Sequence, residues 1–485
     1  MLGHEGEAGV AASIGQVRPF AVMLVVAGVG GVDGVVPEEA GQEVVDVISK
    51  THLHIVPWDR RSTCCVASLI LRPMTVGEPF LLGVNYWPRH KAMWMWADFD
   101  RGEIREELAM IRDIGLRHIR IFLLWESFQP RPDSISTTAL GHLRTVADLA
   151  AETGLGLQPT FFTGHMSGPN WAPDWLLDPS HPLEPGDRQV VSLTRPRAAA
   201  FDIFNPYTEP FVLEAERLQL RAVVRELGDH PGVWAWSLGN EPDLFAQPRT
   251  ATDGRAWMRE MVATIRDVDP KRPVLIGLHN ASVHGDVGLR IDDAAAETDI
   301  SVMHGYSIYD SLARTPLDPE LVPFMASLAA TLAGRPVLFE EFGVNTQLPD
   351  GPSHWEELAT WDGGIRQAYF ASQDDAATYY RGVLDGLHRS GSLGAFAWCF
   401  GDYAEHLWDR PPCDLQAHER FFGLYRADGT LKPMGEELRR FAATSPTVRE
   451  AERIVELSVS ADAYYADPEQ YLPALYRSFV GEDPE

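Results

Sequence analysis

The sequence predicts an α/β fold, a (β/α)8 TIM barrel with long loops after its strands and a short helical extension at the C-terminus. Three observations indicate this fold. Short apolar runs alternate with longer segments of helical periodicity, the runs number eight, and residues 74–444 exceed the ~250 residues that such a barrel typically needs. Parallel strands require crossover connections of a dozen or more residues, and the helical segments provide them.

The predicted strands and helices follow one another in regular order. The strands are Phe80–Asn85, His118–Phe122, Leu155–Phe161, Val233–Leu238, Pro273–Gly277, Ile300–His304, Pro336–Phe339 and Gly394–Phe400. The helices are Arg101–Ile114, Thr138–Thr153, Pro210–Leu227, Ala256–Asp267, Pro319–Leu332 and Asp374–Arg389, with Asp292–Glu297 as a shorter one. Active sites in this fold lie at the carboxyl ends of the strands, so the residues that follow each strand are the candidates for function.

Two regions flank the predicted barrel of residues 74–444. Residues 1–73 show no sustained periodicity, and we expect a leader there, either an upstream extension before Met74 or a poorly ordered segment. The apolar run Phe20–Val32 is too short to span a bilayer as a helix, and no clear cleavage site follows it. Residues 445–485 are predicted to form a helical C-terminal extension.

The composition narrows the classes of partner. The chain has 69 Asp and Glu against 41 Lys and Arg, a formal net charge of −28, which argues against nucleic acid and anionic membranes as partners. The four cysteines have no regular spacing for a disulfide framework or a zinc site. We therefore expect a cytoplasmic protein with reduced thiols, secretion being the open alternative, and we expect neither a cofactor nor a metal.

Two short segments each place a glutamate at the end of an apolar run. They are Trp234–Asp243, which contains Asn-Glu-Pro, and Val337–Gly343, which contains Glu-Glu-Phe-Gly. A buried carboxylate without a partner costs several kcal/mol, so such residues are rarely present for stability alone. Two of them on separate strands suggest a facing pair of carboxylates, the equipment for cleaving a glycosidic bond. The alternative for either segment alone is a turn with a solvated acid.

These motifs resemble those of the clan A retaining glycoside hydrolases, most closely glycoside hydrolase family 5 and its endo-β-mannanase-like and cellulase-like members. The resemblance covers about Phe80 to Phe441. It implies that Glu241, preceded by Asn240, is the acid/base and that Glu341 is the nucleophile. Glu340 is the competing candidate for nucleophile. Because neighbouring strand residues point to opposite sides, we expect only one of the two glutamates to face the sugar, and the Glu-Phe-Gly context selects Glu341.

The same resemblance assigns supporting roles to further residues. It implies a substrate-binding set of Arg120, His165, Asn240, His304, Tyr306 and Trp398. Arg120 and Tyr306 are expected to keep Glu341 ionised, whereas the negative charge of Glu341 is expected to raise the pKa of Glu241. Asn240 is expected to bond the 2-hydroxyl of the sugar and Trp398 to contact its C–H face. Other loop tryptophans are candidate sugar subsites, with Trp94 and Trp96 the best candidates for a cleft wall; the others are Trp87, Trp125, Trp171, Trp175 and Trp408.

The expected reaction is retaining hydrolysis of β-mannosidic or β-glucosidic bonds in an oligosaccharide or polysaccharide. Two alternatives remain open at this stage. The first is the same mechanism on β-galactosides or other β-glycosides, and the second is a carbohydrate-binding barrel without turnover. The choice between internal and terminal cleavage also remains open, because loop length does not determine loop shape.

Overall fold

The computed structural model describes residues 75–184, 187–195, 199–346, 351–359, 364–414 and 416–482. The predicted leader, residues 1–73, therefore lies outside the described residues. From Leu81 onward, eight parallel strands form one sheet with the spatial order β6-β7-β8-β1-β2-β3-β4-β5. They are β1 Leu81–Asn85, β2 His118–Leu124, β3 Gly156–Thr163, β4 Trp236–Asn240, β5 Val274–Gly277, β6 Ser301–His304, β7 Val337–Phe342 and β8 Gly394–Ala397.

The two ends of this sheet meet between β5 and β6. The backbone N–H of His304 donates to the carbonyl of Leu278 at 2.8 Å, and His279 forms a parallel bridge with His304. Almost every strand residue is buried, as expected for a parallel sheet that is covered on both faces. The structure is therefore a (β/α)8 barrel, as the sequence predicted.

Helices follow the strands and form the outer layer. They are α1 Arg101–Asp113, α2 Thr137–Thr153, α3 Pro210–Leu227, α4 Ala251–Arg266, α5 Ile291–Glu297, α6 Leu321–Ala333, α7 Gln373–Arg389 and α8 Pro433–Ala443. Local signals set several ends: the Asp100 carboxylate accepts hydrogen bonds from the N–H groups of Gly102 and Glu103 at the start of α1. Gly154, with a φ of 74°, ends α2 in the left-handed conformation that glycine adopts readily.

The loops at the carboxyl ends of the strands carry additional short elements. Short α-helices are Trp125–Phe128, Pro242–Phe245 and Ala281–His284, and short 3-10 helices are Ala92–Trp94, Asp174–Leu176, Ser307–Tyr309, Glu405–Leu407 and Ala417–Phe421. Short strands lie at Asn170–Trp171, Leu177–Pro182, Val190–Val191 and Phe201–Ile203. An antiparallel pair, His354–Ala359 with Ile365–Phe370, follows β7 and is called the β7 hairpin below.

The C-terminal extension contains α9 Ala461–Ala466 and α10 Pro468–Val480. These helices pack beside the loops that follow β5 and β6. Tyr464 and Tyr465 donate hydrogen bonds to the carbonyls of Val283 and Ser282, at 2.5 and 3.0 Å. Among the described residues, no helix has the length and apolar character needed to cross a membrane.

Two strand boundaries differ from the prediction in a way that affects the site. β4 begins and ends two to three residues later than the predicted Val233–Leu238, so Asn240 is its last residue. β7 extends to Phe342, so both glutamates lie within the strand and not after it. In both cases the prediction ended the strand before its polar residues, which are Asn240 in β4 and the two glutamates in β7. The barrel instead buries them, because each has a hydrogen-bonding partner.

Candidate active site

Glu241 directly follows β4 and has an unusual backbone conformation. Its φ and ψ are 45° and 54°, the left-handed region that a non-glycine residue adopts at a cost of about 1–3 kcal/mol. The backbone N–H of Glu241 donates to the carbonyl of Gly277 at 2.9 Å, and Pro242 begins the short helix that follows. Local strain of this kind is concentrated at functional sites, and here it fixes the direction in which the carboxylate leaves the strand.

Glu340 and Glu341 both turn toward the same arginine, which contradicts the expected alternation along β7. The register between β6 and β7 shifts at this point: Met303 pairs with Phe339, whereas His304 pairs with Glu341. A bulge of this type lets two consecutive residues oppose one residue of the partner strand. Strict alternation therefore does not hold at this point, although only Glu341 lines the cavity described below, and the two roles are separated by their partners.

Glu341 is held by two donors. Arg120 forms a hydrogen-bonded ion pair with its Oε1, and the hydroxyl of Tyr306 donates to its Oε2 at 2.7 Å. The guanidinium of Arg120 is fully buried and also donates to Asn85 Oδ1 at 3.0 Å and to Asn240 Oδ1 at 2.9 Å. The Glu341 carboxylate is thus fixed in position and angle by charged and neutral donors, as a nucleophile requires.

Glu340 lies beneath the site and is completely buried. Its Oε2 is 3.2 Å from Arg120 Nε and 3.2 Å from His304 Nε2, and Gln158 donates to its other oxygen. Burial acts to raise the pKa of Glu340, but Arg120 and His304 outweigh it and hold the pKa below the usual value. Glu340 does not line the cavity described below, so its charge supports Arg120 and His304 from behind.

His304 connects the three carboxylates. Its Nδ1 is 3.2 Å from Glu241 Oε1 and 3.5 Å from Glu341 Oε1, while its Nε2 faces Glu340. Burial acts to lower the pKa of this imidazole, but the charge of Glu341 and the hydrogen bonds with Glu241 and Glu340 raise it above its usual value. His304 can therefore hold a proton next to both candidate catalytic groups.

The two candidate catalytic carboxylates lie close together. One oxygen of Glu241, one of Glu341 and one ring nitrogen of His304 all lie within 4.8 Å of one another. Retaining glycosidases hold their two carboxyl groups about 5–5.5 Å apart, whereas inverting enzymes need about 6.5–9.5 Å to admit a water molecule. A separation below 4.8 Å between one oxygen of each carboxylate is shorter than the inverting range, so the pair fits the retaining arrangement.

The proton balance of the two carboxylates differs from the expectation. Burial acts to raise the pKa of Glu241, but His279 and His304 overcome it and hold this pKa below its usual value. Burial and the charge of Glu241 raise the pKa of Glu341, against the opposing effects of His304, Arg120 and Tyr306. Both net directions are the reverse of the expectation, which omitted the burial of Glu341 and the histidines that surround Glu241.

A cavity of about 380 Å³ opens above these groups. Of the sequence-predicted site residues, it is lined by Glu241, Glu341, His165, Asn240, Tyr306 and Trp398, while Arg120 and His304 lie fully buried behind them. The eight predicted residues are thus brought together at one end of the barrel. Asn240 already donates to the carbonyl of His165 at 3.1 Å, so this contact orients the amide that was expected to meet the sugar.

His165 is neutral in this environment. Burial lowers the pKa of its imidazole to about 4. The amide of Asn170 donates to the carbonyl of Phe245 at 3.2 Å, so its oxygen is the group that faces His165 Nδ1, also at 3.2 Å. Nδ1 therefore carries the hydrogen, which leaves Nε2 as an acceptor on a side chain that lines the cavity.

Sequence reasoning missed several residues of the cavity wall. His279 and Asn280 follow β5, Arg188 comes from the long loop after β3, and Arg366 and His418 come from the segments after β7 and β8. None of them belongs to a recognisable motif. The signal available in the sequence was their position after strands, which is too common to identify a site residue on its own.

The loop tryptophans are mainly structural. Trp398 lines the cavity, but the other candidates, Trp87, Trp94, Trp96, Trp125, Trp171, Trp175 and Trp408, are absent from its lining. Trp96 is buried and donates to the carbonyl of Phe122 at 2.8 Å. Trp94 contacts the edge of Trp171, with ring centroids 6.3 Å apart. Trp96 packs inside the protein, whereas Trp94 is half-buried with the guanidinium of Arg410 over its ring; neither lines this cavity, contrary to the expected cleft wall.

Two clusters of described residues have the spacing of cation ligands. They are Glu241 with His304 and Glu341, and His90 with Glu103 and Glu107. In the first cluster both oxygens of Glu341 already accept hydrogen bonds from Arg120 and Tyr306. In the second, Arg89 Nε forms an ion pair with Glu107 Oε1 at 2.8 Å. These donor sets fit acid–base chemistry and ion pairing better than metal binding, which favours acceptors free of cationic partners.

Comparison with known proteins defines the family. Residues 195–444 match the family model described as "Glycosyl hydrolases family 2, TIM barrel domain". The chain belongs to this family, and with its relatives it falls among the clan A glycoside hydrolases that resemble family 5. The matched model is that of family 2, whereas the relatives carry the names of mannan-degrading enzymes.

Two relatives illustrate the similarity in sequence. The mannan endo-1,4-beta-mannosidase F of Aspergillus clavatus is 24% identical over 208 residues, which cover 37% of this chain and 45% of that protein. The probable mannan endo-1,4-beta-mannosidase A of Aspergillus oryzae is 26% identical over 210 residues, 37% of this chain and 51% of that protein. The chain thus spans about half the length of the curated relatives it matches.

Solved structures extend the similarity over more of the chain. A GH5_18 protein from Streptomyces cattleya in complex with GlcNAc has a TM-score of 0.67 at 22% identity, covering 84% of this chain and 91% of that one. An exo-beta-1,4-mannosidase from Opitutaceae bacterium strain TAV5 has a TM-score of 0.61 at 25% identity, covering 79% and 63%. The first similarity establishes the barrel fold alone.

Proposed function

We propose that this protein is a retaining β-glycoside hydrolase that cleaves β-mannosidic bonds by double displacement. The observation that carries the proposal is the pair Glu241 and Glu341, whose nearest oxygens lie within 4.8 Å at the ends of β4 and β7. Both carboxylates line one cavity together with Trp398. The names of the mannan-hydrolysing relatives and of the exo-mannosidase structure support mannose as the sugar.

In the first step Glu341 attacks the anomeric carbon, the glycosidic C–O bond breaks, and the leaving oxygen takes a proton from Glu241. Arg120 and Tyr306 favour the ionised form of Glu341, against its burial and the charge of Glu241. The proton that Glu241 needs can reach it through His304, whose Nδ1 lies 3.2 Å from Glu241 and 3.5 Å from Glu341. This transfer requires no solvent.

In the second step water attacks the anomeric carbon and the ester bond to Glu341 breaks. The water proton passes to Glu241, which now acts as base. The site returns to its starting state with the configuration of the sugar retained. Asn240 lies at the end of β4, fixed by Arg120 and His165, where its amide can meet the 2-hydroxyl.

The cavity supports cleavage at the end of a short chain and not within a long polymer. Its volume of about 380 Å³ is at the small end of the ~300–1,000 Å³ of ordinary ligand pockets. The β7 hairpin packs against the segment after β8, where Leu358, Ala368 and Phe370 form a cluster with Ala417 and Phe421. Arg366 and His418 from these two segments line the cavity, so the loops form a wall where an open cleft would continue.

A panel of aryl β-glycosides tests the sugar and the reaction together. We expect hydrolysis of aryl β-mannoside at a rate at least tenfold above the β-glucoside and β-galactoside, with the β-anomer of mannose as first product in proton NMR. Mannose should be the first small product from β-1,4-mannohexaose. Equal rates on all three aryl glycosides would be consistent with the mechanism but would contradict mannose as the preferred sugar. Oligosaccharides of intermediate size as the first products would contradict terminal cleavage.

A carbohydrate-binding barrel without turnover is the contrasting class. The complete set of Arg120, Tyr306, Glu241 and Glu341 argues against it, because a protein that only binds sugar has no need to bury a hydrogen-bonded nucleophile. Binding of mannobiose without any product after prolonged incubation would support that class and contradict the proposal.

A further inference from the structure

The loop after β5 carries a polar array next to Glu241 that sequence motifs did not reveal. His279 is 7% exposed and lines the cavity. Its Nε2 lies 2.8 Å from Asp243 Oδ2, and its Nδ1 lies 3.0 Å from Asn280 Oδ1. Asp243 is itself 4% exposed and stands two residues after Glu241, so the array joins the ends of β4 and β5.

The hydrogen bonds of this array fix the hydrogens on His279. Asn280 Nδ2 donates to Asp310 Oδ2 at 3.2 Å. Asp310 also accepts from His284 Nε2 at 2.8 Å and from the backbone N–H of Leu312 at 2.9 Å, which identifies it as an ionised acceptor. The amide of Asn280 must therefore turn its oxygen toward His279 Nδ1, and Nδ1 must be a donor.

The other ring nitrogen faces the carboxylate of Asp243. A carboxylate accepts, so Nε2 also carries a hydrogen, and His279 is an imidazolium cation. Burial acts against this charge, but Asp243 and Glu241 outweigh it and raise the pKa of His279 to about 9. The geometry and the electrostatics thus agree that a positive charge is buried beside the acid/base residue.

We propose that His279, held as a cation by Asp243 and Asn280, is a positioning residue that stabilises the ionised form of Glu241 when Glu241 acts as the base. The proposal rests on the function proposed above. Other charged or titratable groups also face this region, from the loop after β3, the end of β4, β6 and the loop after β6. They are His165, Arg188, Glu241, Asp243, His304 and Asp310.

His279 is better suited to this role than the two neighbouring histidines. His165 is neutral, because burial lowers its pKa. His304 contacts Glu341 and Glu340 as well as Glu241, so its proton is shared among them. His279 has a counterion of its own in Asp243 and contacts neither Glu340 nor Glu341 among its hydrogen-bonding partners. Its charge therefore stays in place through both steps of the reaction.

The C-terminal extension holds this array in position. His279 and Asn280 lead directly into the short helix Ala281–His284. Tyr464 and Tyr465 donate to the carbonyls of Val283 and Ser282 within that helix, at 2.5 and 3.0 Å. Residues outside the barrel thus anchor the segment that carries the cation.

The test measures kcat against pH with dinitrophenyl β-mannoside. A good leaving group makes the second step rate-limiting, so the acidic limb of kcat reports the pKa of Glu241 acting as base. Removal of the cation in His279→Gln should move this limb upward by about one to two pH units, as expected for loss of one nearby charge. Asp243→Asn removes the counterion that keeps His279 protonated. Because His279 then becomes neutral, the limb should move in the same direction. His388→Gln, in α7 far from the cavity, is the matched control and should leave the limb unchanged.

A second measurement does not depend on the variants. NMR titration of the wild-type protein, with the His279 ring signal assigned by its loss in His279→Gln, should show this ring protonated at pH 7.5. A neutral His279 at pH 7.5 would overturn the proposal. So would variants that lose activity equally at every pH without a shift of the acidic limb, since that is the effect of a structural role. Failure of wild-type turnover would contradict the proposed function, which separates the two outcomes.

Discussion

Glu340 and Glu341 are neighbours in sequence, yet both carboxylates contact the guanidinium of Arg120. Glu341 pairs with Nη1, and Glu340 lies 3.2 Å from Nε. The shift in register between β6 and β7 makes this possible. One fully buried arginine therefore forms ion pairs with two carboxylates that lie at different depths below the cavity. The upper one, Glu341, lines the cavity, and the lower one, Glu340, does not.

The two glutamates should respond differently to the same substitution. Glu341→Gln should fold and lose turnover, because the covalent step disappears. Glu340→Gln should still hydrolyse the substrate with retention of configuration, at a reduced rate. Its free energy of unfolding should fall by about 3–5 kcal/mol, since the substitution removes a buried charged partner of Arg120 and His304. Urea unfolding and kcat are measured for both variants. A folded, inactive Glu340→Gln beside an active Glu341→Gln would reverse the assignment.

Glu241→Ala should separate the two steps of the reaction. With a dinitrophenyl leaving group, which needs little protonation, the first step should remain fast. The second should slow by about 10²–10⁴-fold because the base is missing. Azide, which needs no base, should restore the rate and yield the β-azide of the sugar. Unchanged hydrolysis of an unactivated disaccharide by the variant would contradict the acid/base role.

Tyr306→Phe removes one of the two donors that hold Glu341. A hydrogen bond to a charged group contributes about 1.5–3 kcal/mol, so kcat/KM should fall about 10–150-fold. Loss of the donor raises the pKa of Glu341, and the reaction needs Glu341 ionised. The acidic limb of kcat/KM should therefore move to higher pH. Tyr471→Phe in α10 is the matched control; a uniform loss without this shift would assign Tyr306 to substrate contact alone.

Lys432→Met should loosen the loops that wall the cavity. Lys432 Nζ donates to Asp402 at 2.6 Å, to Thr346 at 2.9 Å and to the carbonyl of Phe421 at 3.0 Å, which ties the segments after β7 and β8 together. We expect a stability loss of about 3–5 kcal/mol near neutral pH from the unpaired Asp402, together with a raised KM.

The pH dependence of this variant checks the cause. Burial raises the pKa of Asp402 to about 6 even with its lysine partner present. A carboxyl whose pKa is raised in the folded state loses stability as the pH rises through the window between its unfolded and folded values. The loss in Lys432→Met should therefore be larger at pH 8 than at pH 5. Equal losses at both values would show that packing, and not charge, holds the loops.

Much of the framework could be predicted from the sequence because it depends on local patterns. Apolar runs that alternate with amphipathic segments identified the barrel. The Asn-Glu-Pro and Glu-Phe-Gly motifs identified residues that the structure brings within 4.8 Å of each other, although they are 100 positions apart in the chain. The motifs, together with a position near the carboxyl end of a strand, were sufficient here, since the barrel brings all strand ends to one face.

The remainder depends on contacts between distant segments. The bulge in β7 arises from pairing with β6, so strand alternation alone could not show that Glu340 also reaches Arg120. The proton balance of Glu241 depends on His279 and His304, which arrive from two other strands. His279 becomes a cation only because Asp243 and Asn280 meet it in space. No pattern along the chain encodes these three-dimensional relationships.

Trapping of the covalent intermediate tests the central claim most directly. A 2-deoxy-2-fluoro-β-mannosyl fluoride should inactivate the protein with a mass increase of one fluorosugar, and peptide mapping should place that mass on Glu341. Release on addition of an acceptor sugar would show that the adduct is competent. An adduct on Glu340, or hydrolysis that proceeds with inversion of the anomeric centre and no adduct, would contradict this account of the site.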